Sequence, residues 1–431
     1  MEAESSIPRY KSSLFNLFAA IEKEFDFLYT ENIELREKLE NISGDKSVSI
    51  KPSNYAVKHQ IPPLFNISKK GPSQMGQKLK TAFKVGQPGL FSNSLKDTDN
   101  NKVRYTQTIK GHEDGIWDCS SMYVPSLSVN IIGSASADRT SILWYSESGS
   151  PFAKYTGHAG SVNSINFKEN NPNSEIITAL TTSGDKTAHI WQAKIAKASE
   201  SDEGENNYDN RVEHVVKPLI KLEGHSNTVV SAVWFPNNDQ IITASWDRTA
   251  NIYDVNTGVI VNSLSGHEEE LNYCNVHKTH SLIITASKDS TFRLWDIRDT
   301  IRNVSVVMAH NDSVTSVTFT SDDKIISASE DKTVKIFDTR NLKHALHDLR
   351  LESPVNKISY CESAKIIAMP MDCRHIKLFD IAKRRTTQLP RINGKCHRRI
   401  VCSASWILTG LHTNLVTCGW DKKLIGWKVQ I

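Results

Sequence analysis

The chain is 431 residues long, 39% hydrophobic, and carries 52 lysines and arginines against 48 acids. That length can bury a sizeable core in one large β architecture or in two to three ordinary domains, and a net charge of +4 is too slight to mark a nucleic-acid binder by itself. Composition also argues against three classes: no apolar run approaches the roughly 18 residues of a membrane span, "MEAESSIPRYKSS" lacks the basic-then-apolar order of a secretory signal, and the seven cysteines include no Cys-x-x-Cys pair for a disulfide framework or zinc site. The expected setting is the cytoplasm, with the nucleus left open, and the cysteines read as reduced packing residues.

Residues 10–43 form the first predicted element, a helix. Leu14, Phe18, Ile21, Phe25, Leu28, Asn32, Leu35, Leu39 and Ile42 follow one another at spacings of 4 and 3, which is a heptad seam. An amphipathic helix docked on another body would show the same stripe. Asn32 favours a coiled coil and hence a homodimer, because a polar residue in the seam costs stability but fixes register by pairing with its own counterpart. Residues 44–102 read as a basic, largely disordered linker, with ten lysines against three aspartates and little periodicity.

From 103 to 431 the chain repeats itself. "ASADRTSILWY" (135–145) returns as "TSGDKTAHIWQ" (182–192), "ASWDRTANIYD" (244–254), "SKDSTFRLWD" (287–296), "SEDKTVKIFD" (329–338), "MDCRHIKLFD" (371–380) and "GWDKKLIGWK" (419–428). The period is about 42 residues, widened once by an acidic insertion at 195–216. Most copies follow a Gly-His or its relic, and two short alternating runs separate that His from the Asp turn, a strand pattern. In the first copy His112, Ser134, Asp138 and Trp144 predict a chain of hydrogen bonds from carboxylate through imidazole and hydroxyl to indole. The same structural network is expected of His158, Asp185 and Trp191; of His225 and Asp247; of His267, Asp289 and Trp295; of His310 and Asp331; and of His397, Asp421 and Trp427. The hydroxyl four residues before each Asp is Thr181, Thr243, Thr285, Ser327 or Thr417 in these copies, while the sixth has Met369, puts Cys373 in place of the Asp and has no Gly-His. A Ser-His-Asp set resembles a hydrolytic triad, but one active site needs one triad and these sets recur, so they read as framework.

These motifs resemble the WD-repeat (WD40) family. The resemblance implies an all-β fold, a seven-bladed WD40 β-propeller; the heptad seam puts an N-terminal coiled-coil helix in front of it, and residues 104–110, which match the stretches before the other His residues, are expected to supply the outer strand that the last blade lacks. It implies a non-enzymatic scaffold or adaptor that binds other proteins and needs no cofactor, metal or small-molecule substrate. Non-consensus stretches such as "FDFLYTENIELREKLE" and "CHRRIVCSASW" resemble one member of that family along nearly the whole chain, and this closer resemblance implies its partners, the phosphofurin acidic cluster sorting proteins of membrane traffic and organelle homeostasis. The alternative is a nucleic-acid-associated propeller using the lysine-rich linker, distinguishable by a steep salt dependence of binding.

Two local readings remain. Ser199 and Ser201 stand among Glu200, Asp202, Glu203 and Glu205, candidate phosphosites for an acid-directed kinase in what is otherwise an exposed, solubilising loop. The residues just before the turn Asp should gather on one face, around the central channel: Ala137, Gly184, Trp246, Lys288, Glu330, Asp372 and Trp420. Repeat geometry requires no aromatic there, so Trp246 and Trp420 read as protein-binding anchors with Lys288, Glu330 and Asp372 as their polar surround. The plainer reading folds each ring down over a neighbouring loop.

Overall fold

The computed structural model describes Thr30 and residues 103–430, apart from 170–173, 196–211, 238, 299–301, 392–393, 408 and 411. The seam residues from Leu14 to Ile42, the linker 44–102, and Ser199 and Ser201 lie outside the described residues. Seven four-stranded antiparallel sheets follow one another along the chain, the first extended by a fifth, parallel strand, and the second and third of each set of four pair with a strand on both sides. The third sheet is representative: Val229–Trp234, Gln240–Ser245, Ala250–Asp254 and Ile260–Leu264. Their inner strands begin at Ile116, Val162, Val229, Leu271, Val314, Ser359 and Val401. The first inner strand packs on the second and also on the last, so the sheets close into a ring. The fold is an all-β, seven-bladed propeller.

Burial explains why these segments are strands. A blade is covered on both faces by its neighbours, so its second strand cannot alternate in the usual way. "QIITAS", "LIITAS" and "KIISAS" are buried at every position but the first, and a fully buried Ile or Val contributes about 1.5–3 kcal/mol. Turn geometry completes each hairpin. The residue after the turn Asp, or after Cys373 in the sixth blade, is left-handed: Arg139, Lys186, Arg248, Ser290, Lys332, Arg374 and Lys422 have φ between 64° and 71°. A glycine is required at Gly111, where an added Cβ would lie 2.6 Å from Trp144.

Closure uses both ends of the repeat region. Val103–Lys110 pairs antiparallel with Lys423–Val429, so the strand that precedes the first blade completes the seventh. An unpaired edge at this place would be a site for adventitious pairing. The insertion departs from a plain loop at both its ends, although Glu213 and His214 stay exposed as expected. Ile195 is buried, and Glu213–Val215 runs parallel to Pro151–Tyr155 as a fifth strand on the first blade. The physical reason is the same: the outer strand of that blade offers free backbone groups, and the returning chain takes them, with Thr156 donating to the Val215 carbonyl at 3.0 Å.

Candidate functional site at the channel mouth

The repeated polar residues form the first layer. In the first blade His112 Nδ1–H donates to Asp138 Oδ2 at 2.8 Å, Nε2 faces Ser134 Oγ at 2.7 Å, and the Trp144 indole donates to the same oxygen at 2.8 Å. The indole completes the chain in the second, fourth and seventh blades too, at 3.2, 2.9 and 3.0 Å; in the third and fifth, with Tyr253 and Phe337, the His still bridges Asp and hydroxyl. Burial alone would raise these carboxyls, but the hydrogen bond and charge of the His, with the following Thr and the backbone N–H after the His, hold Asp138, Asp185, Asp247 and Asp289 well below the usual range. Ser134 is fully buried behind its partners, out of reach of a substrate.

The sixth blade replaces the whole set. Leu351 stands in the His position, Met369 in that of the hydroxyl, Cys373 in that of the Asp and Phe379 in that of the Trp, and the four pack in one apolar cluster. A half-satisfied buried network is worse than none, so exchanging every member together is the stable alternative.

Above this layer the inner strands shape a cavity. In six of them the ladder skips one residue: Trp117, Asn163, Val230, Asn272, Thr315 and Cys402. A bulge re-aims its side chain, and these six, with Asn356 of the sixth blade, line one cavity of about 550 Å³. Five of the seven also join a blade to the next. Asn163, Asn272 and Asn356 donate to the carbonyls of Val229, Val314 and Val401 at 2.8 to 2.9 Å, and Thr315 donates to that of Val355 at 2.7 Å. The Trp117 indole N–H donates to Ser161 Oγ of the second blade at 3.1 Å, and its ring, with Val230 and Cys402, offers apolar lining.

One position deeper the ring holds Ser164, Ser231, Ser316 and Ser403, interrupted by Asp118, Tyr273 and Lys357. Lys357 Nζ meets Asp118 Oδ2 at 2.7 Å across the channel, with side chains 22% and 2% exposed, and lies 5.1 Å from the Tyr273 ring centroid. Burial alone would lower the Lys357 ammonium, yet Asp118 and Tyr273 beside it hold it above the usual lysine range. Oδ2 also accepts from Ser164 Oγ and the Ile165 N–H, whereas Oδ1 has no partner among the described residues.

The residues chosen from sequence divide here. Trp246, Glu330, Asp372 and Trp420 all line the cavity; Lys288 does not, its ammonium lying 3.6 Å from Glu270 instead. Trp246 is 45% exposed. Trp420 sits edge-on to Trp117 with centroids 4.8 Å apart and covers Gly115, where a Cβ would meet it at 2.7 Å. One ring is therefore free and the other folds over a neighbouring loop. Trp117, Asp118, Tyr273 and Lys357 are not signalled by the repeat motif; they become legible only when the seven inner strands are aligned at their first apolar residue.

Two histidine clusters bring ligand atoms within 4.8 Å of one another, and neither fits a metal. In the first, His158 is held by Asp185 and Thr181, and His189 by Tyr155 and Thr187, so every ring nitrogen is engaged. In the second, His277 Nδ1 accepts the backbone N–H groups of Thr279 and His280 at 3.2 and 3.0 Å. The ring proton therefore sits on Nε2, the nitrogen 3.6 Å from Asp323, and blocks the lone pair a cation would need. The seven cysteines are free thiols, five of them buried, and among the described residues no helix is long and apolar enough to cross a membrane.

Comparison with known proteins agrees with this architecture. The family described as "WD domain, G-beta repeat" matches residues 103–145 and 149–192, and that described as "Nucleolar protein 10-like, N-terminal domain" matches residues 228–411. Blades, networks and matches together define a WD-repeat β-propeller, a class whose members typically serve as non-enzymatic protein-interaction scaffolds. WD repeat-containing protein 37 of Xenopus laevis is 40% identical over 448 residues, 98% of this chain and 88% of its own, and that of Homo sapiens is 39% identical over 452 residues, 99% and 89%. The chain belongs to the family of WD repeat-containing protein 37. It is also similar, at 30% identity over 174 residues and 39% of each chain, to a guanine nucleotide-binding protein subunit beta of Arabidopsis thaliana.

Proposed function

We propose that this protein is a non-enzymatic adaptor that binds partner proteins at the mouth of its central channel, with Trp246 as the free anchor and Trp420 as a supporting one. One observation carries the reading. Of nine tryptophans, Trp144, Trp191, Trp234, Trp295, Trp406 and Trp427 are buried, and the other three, Trp117, Trp246 and Trp420, meet at this one cavity. Half-exposed indoles around a concavity are the composition of a binding hot spot rather than of a blade core. The cytoplasm or nucleus is the proposed setting. The phosphofurin acidic cluster sorting proteins are the proposed partners, on the strength of the family resemblance.

Truncation separates binding from stability. Trp246→Ala should keep the thermal unfolding midpoint and weaken capture of such a sorting protein by ~2 kcal/mol or more, the scale of a hot spot. Trp420→Ala should lower the midpoint as well, because its ring packs on Trp117 and Gly115. Unchanged capture by the Trp246 variant would place the site elsewhere.

A further inference from the structure

The charges in the mouth go beyond that reading and say what kind of side chain it takes. The charged residues lining the cavity are Asp118, Glu330, Asp372 and Lys357. Lys357 is already committed to Asp118, which leaves Glu330 and Asp372 as the charged residues of the cavity without a cation inside it; Arg374 and Arg399 share a second hollow with Asp372 and Trp420. Asn356 Nδ2 donates to Asp372 Oδ1 at 2.9 Å while bonding the Val401 carbonyl, so one carboxylate is fixed in place. The Glu330 carboxyl is raised by partial burial and by Asp312 and Asp372 beside it, with Lys288 opposing: negative charge is crowded here. At the floor, Asp118 is 2% exposed and its carboxylate is paired with Lys357, so the floor adds little net charge. Trp246 and Trp420 stand at the rim in the turn positions equivalent to Glu330 and Asp372, and Trp117 lines the cavity from its bulge on the first inner strand.

Three half-exposed indoles beside two rim carboxylates that no cation inside the cavity pairs are complementary to one chemical class. A cation gains from the ring faces and from charge-assisted hydrogen bonds to the carboxylates, whereas an anion would be repelled and a purely apolar group would leave the acids desolvated without partners. We propose that the channel mouth receives a basic side chain, an arginine or lysine of an extended partner segment, with its stem against the three tryptophans and its charge between Glu330 and Asp372. This rests on the assignment of the mouth as the partner site.

Short capped peptides added to the full chain test it, with tryptophan fluorescence and calorimetry as readouts. The peptides carry a central arginine, lysine or citrulline, the last being the neutral isostere of arginine. Saturable binding of a charged peptide, at least about tenfold tighter than that of the citrulline peptide, is expected for loss of one charge-assisted contact. Glu330→Gln with Asp372→Asn should weaken the charged peptide by about the same factor while leaving the unfolding midpoint in place, since both side chains reach solvent. The arginine-to-lysine ratio tells which cation the mouth prefers. Equal binding of citrulline, indifference to the double substitution, or no saturation by either charged peptide would overturn the inference. If the Trp246 variant loses the partner while the acid variant keeps it, the face stands and the basic side chain falls; if both keep it, the face itself is wrong.

Discussion

His189 shows how one residue makes stability depend on pH. It is stacked 3.9 Å from His158 and hydrogen-bonded through both nitrogens, and burial together with the His158 charge pushes it from 6.5 down to about 3. A base whose pKa is lower in the folded state contributes its full stability above its unfolded value. As pH falls from 6.5 toward 3 the unfolded chain takes up a proton that the fold refuses, at a cost of up to about 1.4 kcal/mol per pH unit. The turn aspartates act in a separate window. Their folded values are depressed, as in Asp331 at about 2, so their contribution is present above the usual carboxylate value and disappears only as pH falls below it. Urea midpoints should therefore decline first between pH 6.5 and 4.5, and His189→Gln should make that limb shallower while the part carried by His310 and His277, which burial also lowers, and the steeper acid limb remain. An unchanged limb would mean that His189 titrates normally.

At the scale of the element, the sixth blade is the informative departure. Its loss of His, hydroxyl and Asp was legible in "MDCRHIKLFD" as a defect, and its meaning was not, because the compensating residue, Leu351, lies outside the repeated signature and joins Met369, Cys373 and Phe379 only in the packed blade. Non-additive energetics follow. Leu351→His alone places an imidazole against apolar neighbours and should cost about 1–3 kcal/mol, the penalty of an unpaired buried polar group. Adding Met369→Thr and Cys373→Asp should recover a good part of that loss, so that the triple variant is more stable than the sum of its singles. Chemical denaturation of the three singles and the triple checks this, and simple additivity would remove the idea of a concerted exchange.

At the scale of the molecule, the ring is held by closure and by a bond across its centre. Asp118 on the first inner strand and Lys357, just before the sixth, are 239 positions apart, and their contact lies deep in the channel. A buried pair adds little net stability, but removing one partner strands the other charge. Lys357→Met should cost about 3–5 kcal/mol, and Lys357→Met with Asp118→Asn markedly less; equal losses in thermal unfolding would show that the pair is not coupled. Self-association belongs to this scale as well. We propose a parallel coiled coil over residues 10–43, so the full chain should sediment as a dimer at micromolar concentration, and Leu28→Glu with Leu35→Glu should yield a folded monomer. A wild-type monomer under those conditions would rule it out.

The sequence by itself determined the architecture: seven copies of one hydrophobic and turn pattern specify seven blades, since each unit can bury its faces only against a neighbour, and the strand before the first His matched the one missing from the last unit. It also determined the polar network, because hydroxyl, Asp and Trp recur at fixed offsets on one hairpin, with a His 21 to 27 residues before each Asp, and local register brings them together. Only the tertiary structure decided the channel mouth. Trp117, Asp118, Tyr273 and Lys357 come from blades far apart in sequence and fit no repeat signature. What unites them is the bulged inner strand turned toward a common axis, and a residue's position around that axis depends on closure of the whole ring. The same closure decided which tryptophan is free, for Trp246 and Trp420 occupy equivalent turns and differ in whether a neighbouring blade presents a Trp117 to lean on.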